Sequence, residues 1–132
     1  MISQVKLLRS IEDHLDDIVQ LAEKCVTKTN ATQTKLTESQ LRNLQNIAAA
    51  TTSLSVLENF LEYQMGREGG RIPRKVGNQI IEDFGNLREK AKEIVATERV
   101  DEQFKRKLLI EMIQMYLGFL VRKFVAEHNK DE

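Results

Sequence analysis

Apolar residues recur at three- and four-residue steps along almost the whole of this chain, and no run of six alternates with a period of two. That spacing matches the single buried face of an α-helix, so the chain is expected to be all-α. Leu8, Ile11, Leu15, Ile18, Val19, Ala22 and Val26 predict a first helix from Gln4 to Thr27. Thr37 followed by Gln40 is a capping box, which opens a second helix with Leu41, Leu44, Ile47 and Ala48 inward. A second box, Ser55 with Glu58, predicts a third helix from Val56 to near Gly69, burying Leu57, Phe60 and Leu61. Pro73 suits the first turn of a fourth, which buries Val76, Ile80, Ile81, Phe84, Leu87 and Ala91. Asp101 caps a fifth, whose stripe from Leu108 to Phe124 is dense enough for a central helix. The expectation is a compact five-helix bundle in one domain, residues 1–132, with antiparallel neighbours.

Punctuation and charge coincide. The only proline is Pro73, and Gly66, Gly69, Gly70 and Gly77 fall within twelve residues. This Gly66–Pro73 elbow is the strongest break; Thr27–Lys35, rich in Thr, Asn and Gln, is a softer linker, and the compositionally biased stretch Thr27–Thr37 is expected to be mobile. The chain has 20 basic and 20 acidic residues. Only the segment 35–78 has a basic excess, six against four, concentrated at Arg67, Arg71, Arg74 and Lys75 around a single Glu68. Local potential, not net charge, decides where a polyanion settles. Arginine forks match phosphate oxygens, and the helix starting near Pro73 aims free N–H groups at the same loop. Ser39, Arg42, Asn43 and Asn46 form a second polar face, opposite Leu41, Leu44 and Ile47. Such a surface suits sugar–phosphate contacts without base reading.

Catalytic and metal chemistry find little support. Cys25, the single cysteine, excludes an internal disulfide and reads as a packing residue of an intracellular, cytoplasmic chain. His14 is too far along the helix to serve it as a base. Glu12, Asp13, Asp16 and Asp17 fan around their helix and read as a solvated acidic face, so no metal and no cofactor is expected. No apolar run spans a membrane, and no secretory signal is present. Arg122 and His128 form an Arg-x5-His pattern similar to that of HEPN ribonucleases, with Phe124, Val125 and Ala126 between them. That similarity implies a helical ribonuclease or toxin as one alternative; a helical protein–protein adaptor is another.

A different resemblance weighs more. Leu36-Thr37-Glu38-Ser39-Gln40-Leu41-Arg42-Asn43-Leu44 resembles the Leu-Thr-Thr-Ser-x-Leu/Ile-Arg-Asn/Lys segment of the small subunit of type III-A, Csm-type CRISPR–Cas effectors. Tyr63-Gln64-Met65-Gly66-Arg67-Glu68 is similar to that family's Tyr-x-Ala-Gly-Arg segment. Glu38 and Met65 depart from the pattern, and the match of Phe119–Ala126 to the family's terminal apolar helix is poor. The resemblance implies a non-enzymatic subunit of a prokaryotic antiviral complex. Several copies stack beside the backbone and large subunits, touching the guide RNA–target RNA duplex through its sugar-phosphate backbone. It assigns RNA contact to Arg42 and Arg67. The basic elbow adds Arg71, Arg74 and Lys75, and Lys35 joins them ahead of the second helix.

Overall fold

The computed structural model describes residues 4–67, 69, 71–96 and 100–130. Among them the chain is an all-α single domain: α1 (Gln4–Glu12), α2 (Leu15–Lys28), a 3₁₀ turn (Ala31–Gln33), α3 (Glu38–Ala50), α4 (Leu54–Gly66), α5 (Arg74–Val95) and α6 (Glu102–His128). The long α6 is the centre, packed against α1, α2, α3 and α5, and α4 closes the bundle over α3 and α5. Ten α6 residues from Phe104 to Phe124 are buried, on more than one face, as a helix surrounded by others requires.

The expected five helices are six because the first one breaks. Asp13 and His14, both weak helix formers, make a turn. The His14 N–H donates to the Ile11 carbonyl at 2.8 Å, and α2 resumes with the Ile18 N–H on the His14 carbonyl at 3.1 Å. On α1, Leu7 faces inward with Ile11 while Leu8, expected in the stripe, is exposed. The cap of α4 is also two residues earlier than expected: the Ser53 hydroxyl accepts from Val56 N–H at 3.2 Å, and the helix ends at Gly66. Two other start signals are realised. Thr37 and Gln40 exchange both bonds of their capping box, and Asp101 Oδ1 accepts from Phe104 N–H at 2.8 Å. Pro73 immediately precedes α5.

Thr27–Lys35 is not a loose linker. Thr29 and Ala31 are buried, and the Thr29 hydroxyl donates to the Cys25 carbonyl at 2.7 Å. Asn30 reverses the chain at φ 49°, in the left-handed region that Asn tolerates. The Thr34 hydroxyl then donates to the Ala31 carbonyl and accepts from Leu36 N–H. The polar composition that read as a linker supplies the local bonds of a fixed turn.

Two packing details frame the candidate site. At Gly77 a Cβ would collide with Sδ and Cγ of Met65, so this glycine lets α5 approach the end of α4. Deeper in the bundle, Asp83 is 2% exposed. Its carboxylate accepts from the Tyr116 hydroxyl at 2.5 Å and from Gln79 Nε2 at 3.0 Å. Burial raises its pKa despite both donors. The Cys25 thiol lies against the same hydroxyl and is pushed up to about 12, chiefly by burial, so it stays protonated at neutral pH.

Candidate nucleic-acid interface

The capping box fixes where α3 starts, and helical spacing then sets Ser39, Arg42, Asn43 and Asn46 on its outward side, opposite buried Leu41 and Leu44. The chain returns at the end of α4. The Arg71 and Ile72 N–H groups both donate to the Gln64 carbonyl, at 3.0 and 3.4 Å, which ties the elbow back to its own helix. Ile72 is 1% exposed and anchors that return, leaving neighbouring Arg71 at the surface.

Between these two surfaces lies a groove of about 650 Å³. Glu38, Ser39, Gln40, Arg42, Asn43 and Asn46 line it from α3; Phe60, Gln64, Arg67, Arg71 and Ile72 line it from α4 and the elbow. Three of the six expected cations, Arg42, Arg67 and Arg71, thus converge on one groove. Lys35, Arg74 and Lys75 are exposed but do not line it. Arg74 bends back toward Gly66, its Nη2 3.8 Å from where a Cβ there would sit. Glu68 lies outside the described residues.

The three arginines are held differently. Arg42 is paired with Glu38 one helical turn back, with both side chains about half exposed. The Arg67 guanidinium is stacked 5.5 Å from the Tyr63 ring centroid. Arg71 makes no side-chain bond among the described residues, so its fork is open. Around them are the hydroxyl of Ser39 and four carboxamides, from Gln40, Asn43, Asn46 and Gln64, of which Gln40 is engaged in its capping box. The groove can therefore neutralise an anion and still offer paired donors and acceptors. Sequence reasoning identified its α3 side and its arginines but missed Phe60 as a lining residue and missed Gln64 altogether. The available signal was Gln64 itself, a polar residue at helical spacing from Leu57 and Leu61.

A second groove, of about 760 Å³, runs between the end of α5 and the start of α6. Ala91, Val95, Val100 and Leu109 supply an apolar lining, with Arg88, Lys92, Lys105 and Arg106 also at its walls. Glu102 is the one carboxylate among its lining residues. Lys90, two positions from both Arg88 and Lys92, points about 160° away around α5 and donates to Asp17 of α2 at 3.0 Å. On that side Glu12, Asp13, Asp16 and Asp17 are exposed, and α1 adds the exposed cations Lys6 and Arg9 and the exposed apolar side chains Val5 and Leu8.

The Arg-x5-His pattern sits near the end of α6. His128 is six positions after Arg122, about 9 Å along the helix and about 120° around it. Arg122 lies over Phe119, while the His128 ring is beside Phe124 and its Nδ1 is 3.4 Å from Asn129 Oδ1. Among the described residues, no group of three or more His, Cys, Asp and Glu side chains is arranged to hold a metal ion. No helix is long and apolar enough to cross a membrane. Comparison with protein-family models, with curated proteins and with solved structures finds no match to this chain.

Proposed function

We propose that this chain is a non-catalytic, RNA-binding small subunit of a type III-A CRISPR–Cas interference complex, lying along the guide RNA–target RNA duplex. The observation that carries this reading is convergence. The two segments that resemble the Csm-type small subunit, Leu36–Leu44 and Tyr63–Glu68, are some twenty residues apart in sequence, yet both contribute to one arginine-lined groove. Phosphates are the expected ligands of Arg42, Arg67 and Arg71. Three cations, one already engaged by Glu38, suit weak binding by a single copy and stronger binding by a row of copies.

The second groove supports the stacking part of the reading. Its apolar lining complements the exposed Val5 and Leu8, and Arg106, the one of its four cations without a carboxylate partner among the described residues, complements the acidic residues beside them. Being two different surfaces of one chain, they pair head to tail, the arrangement that makes an open row of copies. Overall neutrality fits this reading, because stacked copies carry no net like charge to repel one another.

The test is purification of the tagged chain from its native host. The expected result is a guide-length RNA and larger partner subunits that co-elute at low salt. In the Arg42→Ala, Arg67→Ala, Arg71→Ala triple variant both should be reduced, with a normal melting temperature. The Lys92→Glu, Arg106→Glu double variant should lower the number of copies per complex. Co-elution of proteins alone, indifferent to salt, would establish the adaptor reading. RNA cleavage by the purified chain that disappears in His128→Ala would establish the ribonuclease reading.

A further inference from the structure

Gln64 is an anomaly in this fold. It is 8% exposed, buried among apolar residues near the end of α4. Its backbone carbonyl is doubly used, but its side-chain amide makes no hydrogen bond within the protein. No fully buried side-chain nitrogen or oxygen among the described residues lacks a partner. The Gln64 amide therefore retains access to solvent, and the open space beside it is the arginine groove that it lines. An amide left without a protein partner in so enclosed a place costs stability unless something outside the chain uses it.

The surroundings indicate what that is. Phe60 lies one turn back on α4 and offers an aromatic side chain to the same groove. Arg67 lies three residues on, its guanidinium stacked on exposed Tyr63. Phosphate alone would need only the arginines. An acidic peptide could pair its backbone with the carboxamide, but its acidic side chains would leave the aromatic surface unused. A nucleotide uses all three: phosphate on the guanidinium groups, a base face on the aromatic ring, and a base edge on the amide.

We infer that the groove holds one unpaired ribonucleotide of a bound RNA strand, its base against Phe60 and its hydrogen-bonding edge on the Gln64 amide. This deepens the RNA-binding reading of the groove and rests on it: the groove recognises a base as well as a backbone, and along a duplex it favours a place where one base is unpaired over fully paired RNA. Every base offers a donor next to an acceptor on one edge, so the site senses that a base is present more than which base it is.

The test uses the full chain with three fluorescent ligands of equal length: a single-stranded oligoribonucleotide, its abasic ribose-phosphate counterpart, and a fully paired duplex. The single strand should bind about 5- to 100-fold more tightly than the abasic ligand, the range for one stacked base. It should also bind more tightly than the duplex. Gln64→Met keeps the length of the side chain and removes the amide. It should reduce the preference over the abasic ligand while leaving abasic binding and the salt slope unchanged. It should also melt no lower than the parent, because an unpartnered amide is lost, and this separates loss of recognition from loss of fold. Arg71→Ala should weaken all three ligands alike and reduce the salt slope by about one. Equal binding of single-stranded and abasic ligands, or an unchanged preference in Gln64→Met, would overturn the inference while leaving the backbone-binding reading intact. Failure of all three ligands to bind at low salt would sink both. Competition by poly-glutamate as effective as that by the single strand would replace the nucleotide with an acidic peptide.

Discussion

Asp83 and Gln64 are both polar residues on otherwise apolar helical faces, 2% and 8% exposed, and the fold treats them in opposite ways. Asp83, on α5, receives the Tyr116 hydroxyl from α6 and the Gln79 amide from its own helix. Gln64, on α4, receives nothing on its side chain and lines a groove with three arginines. A satisfied buried polar group fixes how two helices meet; one without a protein partner is left to solvent or to a ligand. On the proposed reading the contrast separates structural from functional polarity in a molecule where both occupy the inward stripe.

The largest expected effect comes from breaking the satisfied member. Asp83→Ala leaves the Tyr116 hydroxyl in the core without its acceptor and opens a small cavity. A loss of about 2–3 kcal/mol is expected from chemical denaturation, with RNA affinity of the folded fraction unchanged. Gln64→Met should do the reverse, keeping stability and losing recognition. If both variants lose stability equally, Gln64 is structural and the contrast fails.

Titration sharpens the same contrast. Burial raises the Asp83 pKa, with nearby Glu82 also raising it, while the donors Tyr116 and Gln79 and the charge of Lys28 lower it. A carboxyl group that holds its proton more tightly folded than unfolded favours the folded state most at and below the unfolded pKa, about 3.9. That advantage is lost as pH rises from there through the raised folded value, and then levels off. The carboxylates with lowered pKa, Asp17 beside Lys90 and Glu127 beside Lys123, run the opposite way and lose their contribution as pH falls. The test is therefore a difference. Between pH 4 and pH 8 the parent should lose stability relative to Asp83→Asn as pH rises. A constant difference would mean that Asp83 does not titrate across this range.

The sequence made much of this legible. The Thr37–Gln40 box, the Asp101 cap and the dense stripe of α6 all mark real elements, because each depends on neighbours within one turn or on a long regular period. The break at Asp13 and His14 was not legible, because the stripe runs on across it and the turn is fixed by how α1 seats Leu7 on the core. Arg42, Arg67 and Arg71 were chosen from composition and resemblance, but their meeting in one groove depends on the elbow folding back onto the Gln64 carbonyl. Asp83 and Gln64 each occupy an apolar stripe, Asp83 three residues after Ile80 and Gln64 three after Leu61. That signal was readable for both. Whether such a residue finds a partner depends on another helix or on a ligand, and no local pattern encodes that.

The smallest effect concerns Glu38, the one carboxylate among the described residues that line the arginine groove. It engages the Arg42 guanidinium one turn away, so a phosphate approaching Arg42 must displace it and then meet its charge. Threonine is the residue that the resembled family segment has at this place. Glu38→Thr removes an exposed ion pair worth at most about 0.5 kcal/mol to the helix, so melting should barely move. It also frees the third arginine of the groove. Binding of single-stranded RNA should tighten several-fold at low salt, with a salt slope steeper by about one as Arg42 gains a phosphate. In the Arg42→Ala background the same substitution should change the slope by nothing, since no cation is left to release. Tightening that persists there would mean that Glu38 acts on RNA directly through its own charge. If Glu38→Thr changes neither affinity nor slope, Arg42 lies outside the RNA path and the groove works through Arg67 and Arg71.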